Sequence, residues 1–166
     1  VHSETTSGLI NPLKEIAGIA KAAGKTVLVD TMSSFAAYET DLKAFGIDAL
    51  ASSANKCLEG LPVLAFVVAT KKLLEGESCS KSLCLDLCDQ YRYLYPDGKF
   101  RFTSPTTVLL ALRRALDLYK LEGGLEARKA RYQANHDALT EGMRRLGITS
   151  IVPEKWQSYI ITTFDL

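Results

Sequence analysis

Apolar positions first recur at helical spacing in NPLKEIAGIAKAAGK, where Leu13, Ile16, Ala17, Ala20 and Ala23 share one face. Asn11 is placed to cap that helix, Pro12 suits its first position and Gly24 its close. The pattern then shortens. TVLVD, Thr26 to Asp30, is a continuous apolar run, as expected of a strand covered on both faces. TDLKAFGID reads as a short helix ending at Gly46, DALASSAN as a second strand, LPVLAFVVAT (Leu61 to Thr70) as a third, and KKLLEG as a helical turn. Gly76 to Lys99 mixes signals, with a turn at Pro96-Asp97-Gly98. Helical spacing returns from Thr106 or Thr107 to about Leu121, breaks at Gly123-Gly124, and resumes from about Leu125 to Leu146 on a helix whose many charges read as a solvated side. GITSIV and YIITTF read as closing strands, and no repeat or low-complexity tract interrupts the order.

Strands alternating with helices predict an α/β fold with a mainly parallel sheet between helices. Ligands of such sheets bind beyond the carboxyl ends of the strands. Asp30 stands at one such end, and Lys56, in SSANKCLEG, follows another. Glu4 and Thr5 join them if Val1-His2 closes a strand, with His2 ordering the loop that follows. Length and composition narrow the setting. A chain of 166 residues, 47% hydrophobic, with net charge +1, supports a substantial core and gives no basis for binding nucleic acid or a membrane surface. No apolar run reaches the length of a membrane span and VHSETTSG does not resemble a secretory leader, so a cytoplasmic protein is expected. Cys57, Cys79, Cys84 and Cys88 lack zinc spacing; reduced thiols and no metal are expected. The abrupt ends suggest a piece of a longer chain.

A lysine and an aspartate at neighbouring strand ends suit pyridoxal phosphate. That cofactor takes a lysine amine in a Schiff base and an acid at its pyridine nitrogen. From spacing alone a structural Asp30–Lys56 ion pair is the favoured account of the two residues, because lysine and aspartate are common. The surrounding motifs add to this. HSETTSG, VDTMSSF, SSANKCLEG and FRFTSPTTVLL occur in the order and spacing of the class V pyridoxal-phosphate aminotransferases, and the whole chain resembles that family.

The resemblance implies a fold type I large domain over residues 1–122, and a connecting helix with the start of a small C-terminal domain over 123–166. It implies transfer of the amino group of 2-aminoethylphosphonate to pyruvate, giving phosphonoacetaldehyde and alanine, by a homodimer. Another class V activity, such as alanine–glyoxylate transamination, and a non-catalytic α/β module are the competing readings. Matched residue by residue, Lys56 takes the Schiff-base position and Asp30 faces the pyridine nitrogen. Thr5 lies near the ring oxygen, Met32 against the ring face, and Asn55 beside the cofactor. Thr103 reaches the cofactor phosphate of a neighbouring subunit. Each has a plainer reading: Thr5 a strand end, Met32 core filling, Asn55 a turn, Thr103 a helix cap. Cys57 reads as a packing residue, and His136 has no evident partner. Family members are longer, and place their phosphate cup and carboxylate-gripping arginine outside these residues; neither Arg92 nor Arg101 matches that grip. Ala36 and Ala37 stand where the family has glycines, where the backbone is expected to need a left-handed turn, and Val63 and Leu64 replace a glycine and a ring.

Overall fold

Asp30 ends a three-residue strand, β1 (Leu28–Asp30), in the computed structural model, which describes residues 1–165. Its neighbour β2 (Ala49–Ser53) runs parallel to it, pairing Leu28 with Ala49, Val29 with Leu50 and Asp30 with Ala51. β3 (Ala65–Ala69) lies on the far side of β2 and runs antiparallel, from Ala49 opposite Ala69 to Ser53 opposite Ala65. The carboxyl ends of β1 and β2 therefore open at one edge, and the chain that leaves each carries Asp30 and Lys56.

Alternation along β1 sends Val29 inward and Leu28 outward. Val27, Val29, Ile47 and Leu50 pack with Leu13 and Ala17 of α1 (Leu13–Ala22), the helix foreseen from its apolar spacing. Each such fully buried aliphatic side chain stabilises by roughly 1.5–3 kcal/mol. The other face of β1 is not covered as the sequence suggested: Leu28 is 67% exposed. It fronts a hollow of about 590 Å³ shared with Val67, Leu73 and Leu87.

α2 (Leu42–Phe45) is capped by the Asp41 carboxylate, which accepts from Ala44 N, and closes on Gly46 in the left-handed region. α3 (Lys71–Leu74) follows β3. The mixed segment resolves into a helix, α4 (Leu87–Asp97), with Asp86 accepting from Asp89 N at its start and Gly98 closing it. α5 (Thr106–Glu122) and α6 (Gly124–Arg145) are the two long helices, hinged at Gly123. A small antiparallel pair, β4 (Thr149–Ser150) and β5 (Phe164–Asp165), ends the described chain. No helix among the described residues is long and apolar enough to cross a membrane.

Four further expectations are corrected. Asn11 does not cap α1; its side-chain amide donates to the Val1 carbonyl and Pro12 takes the cap position without a side-chain bond. The strand expected over Leu61–Thr70 begins only at Ala65, because Pro62 and Val63 lie in a turn, with Val63 at φ 138°. YIITTF supplies little strand: the Gln157 amide donates to the carbonyls of Ser158 and Ile161, and Ile160 N donates to Ser158 Oγ, so side chains satisfy groups a ladder would have used. The charges of α6 are not all solvated, since Arg128 is 2% exposed.

Candidate active site

Three loops meet at the open edge of the sheet. The first follows β1. Thr31 N and Thr31 Oγ1 both donate to the Ala51 carbonyl, at 2.9 and 3.0 Å, and Ser52 Oγ donates to the Thr31 carbonyl, so the loop starts fastened to β2. Asp30 is exposed, and its Oδ1 accepts from Met32 N at 2.7 Å, which fixes the carboxylate by its own backbone. Met32 is half-buried beside it. Further on, Ala36 holds φ 71° while buried, the left-handed turn expected there from the glycine it replaces.

The second loop follows β2 and carries Asn55 and Lys56, both exposed. Gly60 N donates to the Ala54 carbonyl at 2.7 Å and Glu59 N to the Lys56 carbonyl at 2.8 Å, closing a tight turn. A side chain at Gly60 would bring its Cβ within 3.0 Å of the Ala54 carbonyl oxygen. Cys57 is buried beneath the lysine, and its Sγ donates to the Ser33 carbonyl at 3.6 Å. Burial pushes its thiol pKa up, which keeps it protonated and suits packing rather than attack. With Leu58, Ala36 and Ala37 it sits in a second core against Leu112, Leu116 and Tyr132 of α5 and α6.

The third loop, residues 2–10, places Thr5. His2 N donates to the Asp30 carbonyl at 2.8 Å, so Val1-His2 flanks the end of β1. The His2 ring is buried edge-on to Tyr38, and burial lowers its pKa to about 4, leaving it neutral. Thr5 Oγ1 lies 3.1 Å from Ser33 Oγ, joining this loop to the first. Glu4 turns back on its own loop. Its carboxylate accepts from Thr6 N, Ser7 N and Ser7 Oγ, and the Ser7 hydroxyl and these amides lower its pKa to about 2. It builds the loop rather than the site. Gly8 anchors the far end: its carbonyl accepts from Ser158 N at 2.7 Å, at φ 81°. A Cβ on Gly8 would stand 2.2 Å from the Ile161 carbonyl oxygen. Gly8→Ala should therefore cost about 3 kcal/mol, from clash and left-handed strain together, in chemical denaturation of the full-length protein. A loss below about 0.5 kcal/mol would show that the loop gives way freely.

Thr5, Asp30, Met32, Asn55 and Lys56 thus lie on loops joined to one another at one edge of the sheet. Thr103 does not join them. It is exposed on the segment between α4 and α5, and it does not cap α5, whose Pro105 cap has no side-chain bond. The ion pairs among the described residues include none of Lys56 or Asp30, so the structural pair considered from the sequence is not formed. Arg101 is a brace: its Nε lies 2.9 Å from Asp89 Oδ2 and it donates to the carbonyls of Leu83 and Asp86. His136, without an evident partner in the sequence, meets Thr162 Oγ1 at 2.9 Å. The residue the sequence reading missed is Arg128, which donates from Nη1 to the Cys57 carbonyl, directly behind Lys56. Its signal was present, since Leu125, Arg128 and Tyr132 share one face of α6 at helical spacing.

Comparison with known proteins places this geometry. The family described as aminotransferase class-V matches residues 1–166. A 2-aminoethylphosphonate–pyruvate transaminase of Phocaeicola vulgatus is 49% identical over 99% of this chain and 46% of its own length. One from Paraburkholderia phymatum is 50% identical over 99% of this chain and 45% of its own. The chain therefore spans less than half the length of these curated relatives. Among solved structures, an alanine–glyoxylate aminotransferase from Nostoc sp. superposes with a TM-score of 0.90 at 27% identity, covering 99% of this chain and 45% of that one. A pyridoxamine–pyruvate aminotransferase from Mesorhizobium loti gives 0.86 at 26% identity, covering 99% and 43%. With the family matched from its first residue to its last, the chain belongs to the class V aminotransferases.

Proposed function

We propose that the protein containing this chain is a pyridoxal-phosphate-dependent transaminase that moves the amino group of 2-aminoethylphosphonate to pyruvate, yielding phosphonoacetaldehyde and alanine. The observation that carries the reading is an exposed carboxylate that ends β1 and an exposed lysine on the loop leaving the adjacent parallel strand β2, at the same end of the sheet and forming no ion pair with each other. The near-half identity to transaminases bearing that name supports the substrates; the alanine–glyoxylate structure is alike at 27%.

The residues present fit the cofactor by their chemistry. Lys56 offers an amine that pairs with no carboxylate among the described residues, Asp30 a carboxylate with one oxygen held by backbone, and Thr5 a hydroxyl on the adjoining loop. When bound, pyridoxal 5'-phosphate supplies an electron sink for a carbon that loses its proton. Lys56 would hold the cofactor covalently, then, as a free amine, take the proton from the substrate carbon bearing the amino group. Asp30 would keep the pyridine nitrogen protonated. Met32 would pack on the ring, with Thr5 and Asn55 at its edge. Thr103 would serve the phosphate of a second subunit in a homodimer, in keeping with its place outside the cluster. We assign residues 1–122 to the large domain, 123–166 to the connecting helix and start of the small domain, and the enzyme to the cytoplasm.

The test is an assay of the full-length protein with pyridoxal phosphate, 2-aminoethylphosphonate and pyruvate, measuring alanine, beside the same protein with alanine and glyoxylate, measuring glycine. Alanine formation in the first is the expected result. Glycine formation alone would move the reading to alanine–glyoxylate transamination, and neither product would end it.

A further inference from the structure

Arg128 stands on the helix that leads away from the sheet, yet its guanidinium is buried at the turn of Lys56. Every side of it is engaged. Nη1 donates to the Cys57 carbonyl, Nε donates to Glu122 Oε2 at 2.7 Å, and the cation lies 5.2 Å from the centre of the Tyr119 ring. Glu59, in the same turn as Lys56, stands 3.6 Å from Nη1. Glu59 holds φ 58°, a left-handed conformation that is costly for any residue with a side chain. Arg131 completes the group, bonding Glu59 and Glu122 at 2.8 Å each.

Stability alone explains this cluster poorly. A buried ion pair usually does no better for the fold than well-packed apolar side chains of similar volume, because desolvation offsets the attraction. What the cluster does achieve is geometric. Cys57 is pinned at both ends, its sulfur to the Ser33 carbonyl on the Asp30 loop and its own carbonyl to Arg128 on α6. The residue before it is Lys56, whose carbonyl is held in turn by Glu59 N. The backbone that leaves the lysine is therefore fixed relative to the loop that carries Asp30.

We propose that Arg128, supported by Glu59 and Glu122, is a positioning residue for Lys56, setting the place of its amine against the Asp30 loop. This rests on the reading of Lys56 as the cofactor lysine. Displacement of a reacting group by about 1 Å can cost about 100-fold in rate, which is the scale expected here.

The test uses the full-length enzyme with Arg128→Lys, which keeps the charge but loses the planar fork, Arg128→Met, and Glu59→Gln, a change at a half-exposed side chain that the fold should tolerate. Two readouts are taken at a temperature where each variant is folded: kcat and KM for alanine formation, and the pH dependence of the visible absorbance of bound pyridoxal phosphate. Both Arg128 variants should lose about 100-fold in kcat, with KM within about threefold of the parent. The absorbance transition should move by about one pH unit, Arg128→Lys included. Glu59→Gln should move both readouts in the same direction by less. Parental kcat and an unmoved transition in Arg128→Lys and Glu59→Gln, with only a lower melting temperature, would make Arg128 a structural brace and overturn the proposal. If Arg128→Met does not fold, the other two variants decide. Should the parent make no alanine, the proposed reaction fails, while the absorbance transition still decides the positioning role.

Discussion

Lys56→Ala in the full-length protein should abolish alanine formation, lowering the rate by about 10⁴-fold, the upper end of what acid–base catalysis alone contributes. The expectation follows from position. Lys56 is exposed at the carboxyl edge of the sheet. Two other lysines are engaged away from this edge: Lys21 with Asp48 at 3.0 Å on the flank of α1, and Lys71 with Glu75 after β3. The fold should survive the change, because the turn is built by Cys57, Glu59 and Gly60 and not by the lysine side chain. A circular dichroism spectrum like that of the parent, with activity lost, is the expected pair of observations. Turnover within tenfold of the parent would remove Lys56 from the chemistry.

Asp30→Asn should separate rate from binding. The asparagine keeps an oxygen for Met32 N, so the loop after β1 should keep its shape. What it loses is the negative charge that would hold a proton on the cofactor nitrogen. Removing one preorganised electrostatic group from a reacting site costs about 10²–10³-fold in rate, or about 2.7–4 kcal/mol. Cofactor affinity, measured by equilibrium titration, should fall by less than about tenfold, since one contact of several is altered rather than removed. A variant that binds cofactor weakly but turns over bound substrate at the parental rate would place Asp30 in binding alone.

Much of this was legible in the chain, and for local reasons. The helix α1, the β1 and β2 runs, and the glycine break between α5 and α6 are each written within a few residues of one another, and each appears in the structure, though of the apolar stripe of α1 only Leu13, Ala17 and Ala20 reach the core and Ile16 is 49% exposed. So is the left-handed turn at Ala36, expected because alanines stand in a glycine position. The family could be named from four motifs in order, and the match spans residues 1–166. What could not be read depends on distant partners. The antiparallel direction of β3 is settled by pairing with β2, not by its own apolar run. α4 is polar on balance, and declares itself only through the Asp86 cap and the Gly98 close. Asn11 has the right side chain for a cap, but the Val1 carbonyl competes for it and wins. Arg128 was counted with its solvated neighbours because charge outweighed spacing; only the fold shows which guanidinium turns inward, and toward what.

The most direct measurement is to find the cofactor's covalent partner. The full-length protein, loaded with pyridoxal phosphate and reduced with borohydride, is digested and its peptides are sequenced by mass spectrometry. A reduced pyridoxyl group on Lys56, and on no other lysine, is the expected result. The same label on a different lysine, or a protein that takes up no label while folded, would contradict the assignment of Lys56 as the cofactor's anchor.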